Sequence, residues 1–327
     1  MMKMTTMKKL VDTLNKNYES SIANEIASYW GYDKGSVKEQ RISANAVFRF
    51  KKSGEDHFLR FNSPSERTFE YIKAEVDFLN YLSDSDISVA KPVKSLSGNY
   101  IEKVDTSLDT YYAVVFTALK GKQYDIENLN KSMFHTWGRA LGMLHHASIG
   151  YETKHRPSWK NHLKVISEIL PKEEILVQKE LRFVTNKLTK LSMSKMNYGL
   201  IHHDFELDNL FWNGNHISIL DFDDCDYYWY VADIAFALRD LFVDVVDFNN
   251  ENYLSFIEGY QTKMSIDKEV LKDLPLFRRM ADLVTYAKLL RAFEGSSPEG
   301  DEEWVRLWNK IESHIDEHRK HFEEYHR

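Results

Sequence analysis

The sequence predicts an α+β fold of two lobes, a small N-terminal antiparallel-sheet lobe and a larger, mostly helical C-terminal lobe. Three observations carry that expectation. Strand-like segments rich in β-branched and aromatic residues crowd the first third of the chain. Helical spacing of apolar residues takes over beyond Gly121. Between Leu200 and Asp224, one short hairpin gathers an aspartate, an asparagine and a second aspartate.

The elements follow in order. Lys8 to Asn15 and Ala23 to Trp30 read as short helices. Ala46–Phe50 and His57–Phe61 are strand-like, joined by the turn-rich Lys-Lys-Ser-Gly-Glu-Asp. Phe69, Ile72, Val76 and Leu79 recur at helical spacing, giving an amphipathic helix from about Glu66 to Leu82. Strand signals return at Val89 to Val93, Asn99 to Lys103 and Tyr111 to Ala118. The lobe boundary falls near Leu119-Lys-Gly-Lys, dividing the chain into residues 1–118 and 119–327. Beyond it, Phe134, Trp137, Leu141 and Leu144 mark one helix face. Trp159 to Leu170, Glu173 to Leu191, Asp233 to Val246, Asn252 to Tyr260, Glu269 to Phe293 and Asp301 to about Phe322 supply further helices. A cleft between two such lobes is the default place for a ligand.

Composition narrows the function classes. At 327 residues the chain can bury a full core and suggests about two domains. A net charge of −7 argues against a nucleic-acid-binding surface as the main activity. The longest apolar run, Ala113 to Phe116, is strand-sized, so no membrane partner is expected. The N-terminus lacks the apolar run of a signal peptide. A single cysteine, Cys225, excludes an internal disulfide framework and fits a cytoplasmic location. Oligomeric state stays open.

The hairpin carries the chemistry. Leu210-Phe-Trp, Asn213-Gly214-Asn215 and His216 to Leu220 read as strand, turn, strand, because Asn-Gly accepts the positive φ that a tight hairpin requires. Folding about that turn brings Asn209 and Asp221 together at the open end, with Asp204 just upstream. Phosphoryl transfer to a hydroxyl needs a carboxylate to orient the nucleophile and accept its proton. It also needs hard oxygen ligands for a magnesium ion that neutralises phosphate charge. Asp204 suits the first role; Asn209 and Asp221 suit the second.

These residues resemble the aminoglycoside phosphotransferase and choline kinase-like family, which has a protein-kinase-like fold. His202-His203-Asp204 with Asn209, then Leu220-Asp221-Phe222-Asp223, then Asp233-Ile234-Ala235 stand where the family has its motifs. The likeness spans about Ile42 to Phe293. It implies ATP (or GTP) and Mg2+ as cofactors, a small-molecule hydroxyl as acceptor, and Asp204 as catalytic base. His202 would brace the catalytic loop, and Asp233 would bond its backbone or act as an N-cap. His203 stands where the family often has glycine, as an exposed filler or a functional group.

The resemblance extends to the small lobe. Ser43 lies in the expected phosphate-covering loop, and Arg60 occupies the strand position where a lysine usually grips phosphates. Glu75 is the expected ion-pair partner of Arg60, with a solvated helix-face glutamate as the alternative. Phe116 would back the adenine pocket, with the Thr117 carbonyl and Leu119 N–H as adenine partners. Asp223, Asp224 and Asp226 would either line the cleft and favour a cationic or polyhydroxylated acceptor, or form a solvated turn in which Asp223 helps the metal site.

Phe58 to Arg67 also resembles the stress-response protein kinases, so a Ser/Thr protein kinase is an alternative. Only about ten residues separate Asp221 from Asp233, too few for a long activation segment. A metal-dependent phosphohydrolase and a nucleotide-binding pseudokinase are the other readings. Aminoglycosides, amino alcohols and sugars all remain open as acceptors.

Overall fold

The computed structural model describes residues 1–242 and 245–327. The chain begins with α1 (Met4–Val11) and α2 (Ser21–Ala27). Both sit a few residues earlier than the sequence predicts. The Asn15 side chain accepts from the N–H of Asn17 and Glu19, turning the chain where the first helix was expected to continue. The Ser20 hydroxyl caps the N–H of Ala23, so α2 starts early.

The sheet that follows runs β1 (Lys38–Ile42), β2 (Ala46–Lys52), β3 (Glu55–Asn62), β7 (Thr110–Thr117), β5 (Pro92–Val93), with β6 (Ile101–Asp105) also paired to β7. Every pairing in it is antiparallel. Alternation along β2 and β3 decides which face is covered. Phe48, Phe50, Leu59 and Phe61 are fully buried in one core with Ile22, Ile26 and Trp30, so α1 and α2 roof that face. The opposite face presents Arg60, Val114 and Phe116 towards α3 (Phe69–Ser83), whose Ile72 and Val76 pack on Val114. Thr68 caps Tyr71 N–H, which sets the start of α3 three residues later than predicted.

The expected strand from Val89 to Val93 is two pieces. β4 (Ser88–Val89) leaves the small lobe and pairs in parallel with β10 (His216–Ile219) of the large lobe, while Pro92 and Val93 stay with β7. Phe78 of α3 meets Phe222 edge-on at 5.8 Å, and Tyr81 donates to the Ala147 carbonyl at 2.9 Å. The small lobe is thus fastened to the large one along α3 and β4.

The large lobe is built from α4 (Lys131–Ser148), α5 (Trp159–Ile169), α6 (Ile175–Leu188), α7 (Tyr230–Ala237), α8 (Glu251–Gln261), α9 (Lys268–Leu271), α10 (Leu274–Phe293) and α11 (Glu302–Glu324). The predicted helix from Glu269 to Phe293 divides because Pro275 has no N–H to give the preceding turn and starts α10 instead. The helix expected from Asp233 to Val246 ends at Ala237, and Val243 and Asp244 lie outside the described residues. α4 and α8 cross at Gly138, Gly142 and Gly259, where a methyl group at Gly138 would overlap the Phe256 carbonyl.

Two small sheets face the cleft. β8 (Tyr198–Ile201) pairs with β11 (Asp226–Trp229), and β9 (Leu210–Asn213) pairs with β10. The tight turn is Gly214-Asn215, with Gly214 at φ +60°, rather than Asn213-Gly214. Among the described residues, no helix is long and apolar enough to cross a membrane.

Candidate active site

The hairpin closes where its sequence suggested. Leu220 N–H donates to the Asn209 carbonyl at 3.0 Å, so Asn209 and the start of the Asp221 loop are neighbours. Asn209 Nδ2 donates to both the carbonyl oxygen and the carboxylate Oδ2 of Asp204, each at 2.9 Å. Those bonds turn Asn209 Oδ1 away from Asp204. Asp221 adopts φ +63°, a left-handed conformation that directs its carboxylate back into the cleft, and its Oδ1 is enclosed without a hydrogen-bond partner. Burial pushes the Asp221 pKa up to about 7, with Arg60 opposing and Asp223 and Glu75 adding to the rise. Its side chain keeps 37% of its surface open, so water relieves part of that effect.

Across the cleft, Arg60 grips Glu75 through both guanidinium nitrogens, at 2.9 and 2.5 Å. Glu75 is 1% exposed, which removes the reading of it as a solvated glutamate. Burial works against the Arg60 charge, but Glu75, Asp223 and Asp221 outweigh it and hold its pKa above the usual arginine value. Its guanidinium lies over the Phe116 ring at 5.0 Å and reaches Asp221 Oδ1 at 3.6 Å.

The loop bearing Asp204 is nailed to the core. Asp233 accepts from the backbone N–H of His202 at 2.8 Å and of His203 at 2.9 Å. It lies inside α7, whose N-cap is Trp229, so the simple capping reading is corrected. His145 Nε2 donates to the same carboxylate at 3.0 Å, and Tyr260 donates to His145 Nδ1 at 2.8 Å. Burial acts to raise the Asp233 pKa, yet the hydrogen bonds from His145 and from the His202 N–H hold it low. His202 Nδ1 accepts from Asp204 N–H, which places the ring proton on Nε2, bonded to the Leu220 carbonyl at 3.0 Å. His203 has φ +70°, the backbone reason for a glycine there, and its side chain is 9% exposed rather than a surface filler.

The acidic run past Asp221 is not a solvated turn, and Asp224 and Asp226 line a cavity with their basic partners beside them. Asp223 is clasped by Arg67 at 2.7 Å and reached by Asn45 at 3.3 Å. Burial opposes its charge, but Arg67 and Arg60 hold its pKa far below the carboxylate range. Asp224 pairs with Lys288 at 2.6 Å, and Asp226 lies 2.8 Å from His162. Each carboxylate has a basic partner.

A scan of family models matches residues 40–264 to the phosphotransferase enzyme family. The chain belongs to that family. It is therefore a phosphotransferase, and its fold is the protein-kinase-like one. Amicoumacin kinase of Bacillus subtilis (strain 168) is 27% identical over 290 residues, covering 85% of this chain and 86% of that protein. Among solved structures, the amicoumacin kinase hAmiN in complex with AMP-PNP, Ca2+ and Ami superposes with TM-score 0.80 at 24% identity, over 97% of this chain and 96% of that one. A microcompartment-associated aminopropanol kinase gives TM-score 0.72 at 23% identity, over 93% and 97%.

Within this phosphotransferase, Asp204, Asn209, Asp221, Arg60, Glu75, His202 and Asp233 form one connected set. The remaining expected residues stand at its edge. Ser43 N–H donates to the Asn45 carbonyl, and its hydroxyl accepts from Arg41, so only the hydroxyl proton is uncommitted. Thr117 N–H and Oγ1 bond to Lys91, while Thr117, Leu119 and Phe116 are all half-buried at the lobe connection.

Sequence reasoning missed Arg67, Arg156 and Glu206. Arg156 is fully buried, donates to the carbonyls of Phe222 and Asp223 at 2.8 and 2.7 Å, and stacks on Tyr71 at 4.0 Å. An isolated arginine in a loop carries no spacing that would reveal it. Glu206, two residues past Asp204, has its pKa pushed up to about 7 by burial and Asp204 against the pull of Arg239. β11 leads straight into α7, leaving no room for a long activation segment.

Proposed function

We propose that this phosphotransferase moves the γ-phosphoryl group of a magnesium-bound nucleotide, ATP or GTP, to a hydroxyl of a small amine-bearing acceptor. The observation that carries this reading is the approach of Arg60 to Asp221 at 3.6 Å. It joins a phosphate-gripping cation of one lobe to a candidate metal ligand of the other.

Asp204 accepts the proton of the acceptor hydroxyl, and Asn209 Nδ2 fixes the carboxylate that does so. Asn209 Oδ1 and the unpartnered Asp221 Oδ1 are hard oxygen donors that fit a magnesium ion. That ion, when bound, supplies neutralisation of phosphate charge. Arg60 contacts the phosphates, and Glu75 sets the orientation of its fork. The Ser43 hydroxyl adds a donor to the phosphate-covering loop. The Thr117 carbonyl and Leu119 N–H take the adenine, with Phe116 behind it. His202 and Asp233 hold the catalytic loop in register.

We assign residues 1–118 to nucleotide binding and 119–327 to catalysis and acceptor binding, in a cytoplasmic enzyme. A cavity of about 300 Å³ between α3, α5, α10 and the loop after Asp221 is the acceptor site on this reading. The kinship with amicoumacin and aminopropanol kinases supports an amine-bearing acceptor.

The test is incubation of the purified chain with Mg-ATP or Mg-GTP and a panel of amicoumacin, aminoglycosides, short amino alcohols, sugars and serine-containing proteins. A mass gain of one phosphoryl group on an amine-bearing small molecule is expected. Transfer only to protein serine or threonine, or nucleotide binding with no transfer, overturns the proposal.

A further inference from the structure

We propose that His162, His203 and Asp226 form a binding site for a zinc-class divalent ion, separate from the site at Asn209 and Asp221. The three residues come from α5, the catalytic loop and β11, so the fold rather than local sequence brings them together. One ligand atom from each lies within 4.8 Å of the others. His162 Nε2 is 2.8 Å from Asp226 Oδ2, and His203 Nδ1 is 3.8 Å from the same oxygen. Ligands held about 2.0–2.1 Å from a tetrahedral zinc ion stand roughly 3.3 Å apart, between those two distances.

The second observation is that this cluster has unmet hydrogen-bonding capacity. His203 Nδ1 and Asp226 Oδ1 are buried without any hydrogen-bond partner, on side chains 9% and 3% exposed. Orphaned polar atoms in such a place cost free energy unless something occupies them. A divalent ion can satisfy both at once, with His203 Nδ1 and the Asp226 carboxylate as ligands.

Asp223 and Asp224 are paired with Arg67 and Lys288, whereas the Asp226 carboxylate has His162 as its near partner. His162 has an outer partner already in place, because its Nδ1 lies 2.6 Å from the Tyr228 hydroxyl. For Nε2 to ligate, the ring proton moves to Nδ1, where the Tyr228 oxygen accepts it. No net proton is lost. His162 and Asp226 also line the 300 Å³ cavity, so a fourth coordination position opens into it.

Cobalt(II) reports the site directly, since tetrahedral cobalt absorbs visible light far more strongly than octahedral cobalt. The metal-free full chain is titrated with Co2+ without nucleotide, then with Zn2+. The expected result is an intense band saturating at one equivalent and bleached by zinc. That band is lost in His162→Gln and in His203→Gln, each checked for folding by circular dichroism, and kept in Asp221→Asn. No intense band in the wild-type chain, a band that survives in folded His162→Gln, or a band lost in Asp221→Asn overturns the proposal.

Discussion

Asn209 Nδ2 holds Asp204 twice, at its carbonyl oxygen and at its carboxylate Oδ2, both at 2.9 Å. On the roles proposed above, the residue that offers an oxygen to the metal also sets the direction of the catalytic carboxylate, so metal binding and base positioning would be one structural event in this hairpin.

Asp204→Asn is expected to keep nucleotide binding, because only the proton acceptor is removed. The kcat should fall roughly 10²- to 10⁴-fold, the usual contribution of a positioned general base. Steady-state kinetics with the accepted small molecule, alongside nucleotide titration, measure both. A kcat near the wild-type value removes Asp204 from the role.

Glu75→Gln removes the whole negative charge that Arg60 faces on α3 and keeps only one acceptor oxygen. Breaking such a pair typically costs about 3–5 kcal/mol. A lower Tm together with a nucleotide KM raised about tenfold is expected. Arg60→Lys should raise the same KM without as large a fall in Tm, because lysine keeps the charge but loses the fork. An unchanged KM in both variants would remove Arg60 from the phosphate site.

Asp221 sets a pH dependence with a definite sign. Its pKa rises from 3.8 to about 7 on folding, so between those values the folded chain binds more protons than the unfolded one. The Asp221 contribution to stability is present below pH 3.8 and is lost as pH rises through about 7. In Asp221→Asn this component of the metal-free stability curve should be absent. In the wild type, stabilisation by the magnesium nucleotide should grow from pH 6 to 8, because ligation needs the carboxylate. Thermal denaturation across pH, with and without ligand, checks both statements.

Arg156→Met removes one charged donor from each of the Phe222 and Asp223 carbonyls, which keep only the Cys225 N–H and the Tyr71 hydroxyl. A hydrogen bond to a charged group contributes about 1.5–3 kcal/mol. The expected outcome is a Tm loss and a weaker metal-nucleotide complex, since these carbonyls flank the left-handed turn at Asp221. A variant of ordinary stability and affinity would show that the turn holds itself.

Gly138→Ala tests the crossing of α4 and α8 away from the chemistry. The added methyl would overlap the Phe256 carbonyl, so the helices must separate. Overpacking of this kind typically costs about 1–3 kcal/mol. Chemical denaturation should show that loss, with KM values unchanged in the fraction that folds.

Much of this arrangement was legible in the chain because its causes are local. The Asp204, Asn209 and Asp221 relation follows from a hairpin about one tight turn, whereas Arg60 with Glu75 was expected only from the family resemblance. Other features were hidden because they depend on contacts distant in sequence. Arg67 finds Asp223 across 156 positions, and Arg156 finds it across 67. The acidic run stayed open between a cleft wall and a solvated turn for the same reason, its basic partners being supplied by Arg67 just before α3, by α5 and by α10. Helix starts at Ser21, Phe69 and Leu274 were displaced by a serine cap, a threonine cap and a proline, short signals that apolar periodicity masks.

Asp233 ties the loop of Asp204 to His145 and, through it, to Tyr260, so the chemistry rests on the most enclosed part of the large lobe. The cavity proposed for the acceptor is walled partly by Val165 and Ile169 of α5 and by Ala287 of α10, with none of Asp233, His145 or Tyr260 in its lining. Side chains there can change size or polarity without disturbing the Asp233 bonds. An evolving enzyme of this design can trade one acceptor for another by drift in its walls, while its reaction stays fixed by the core.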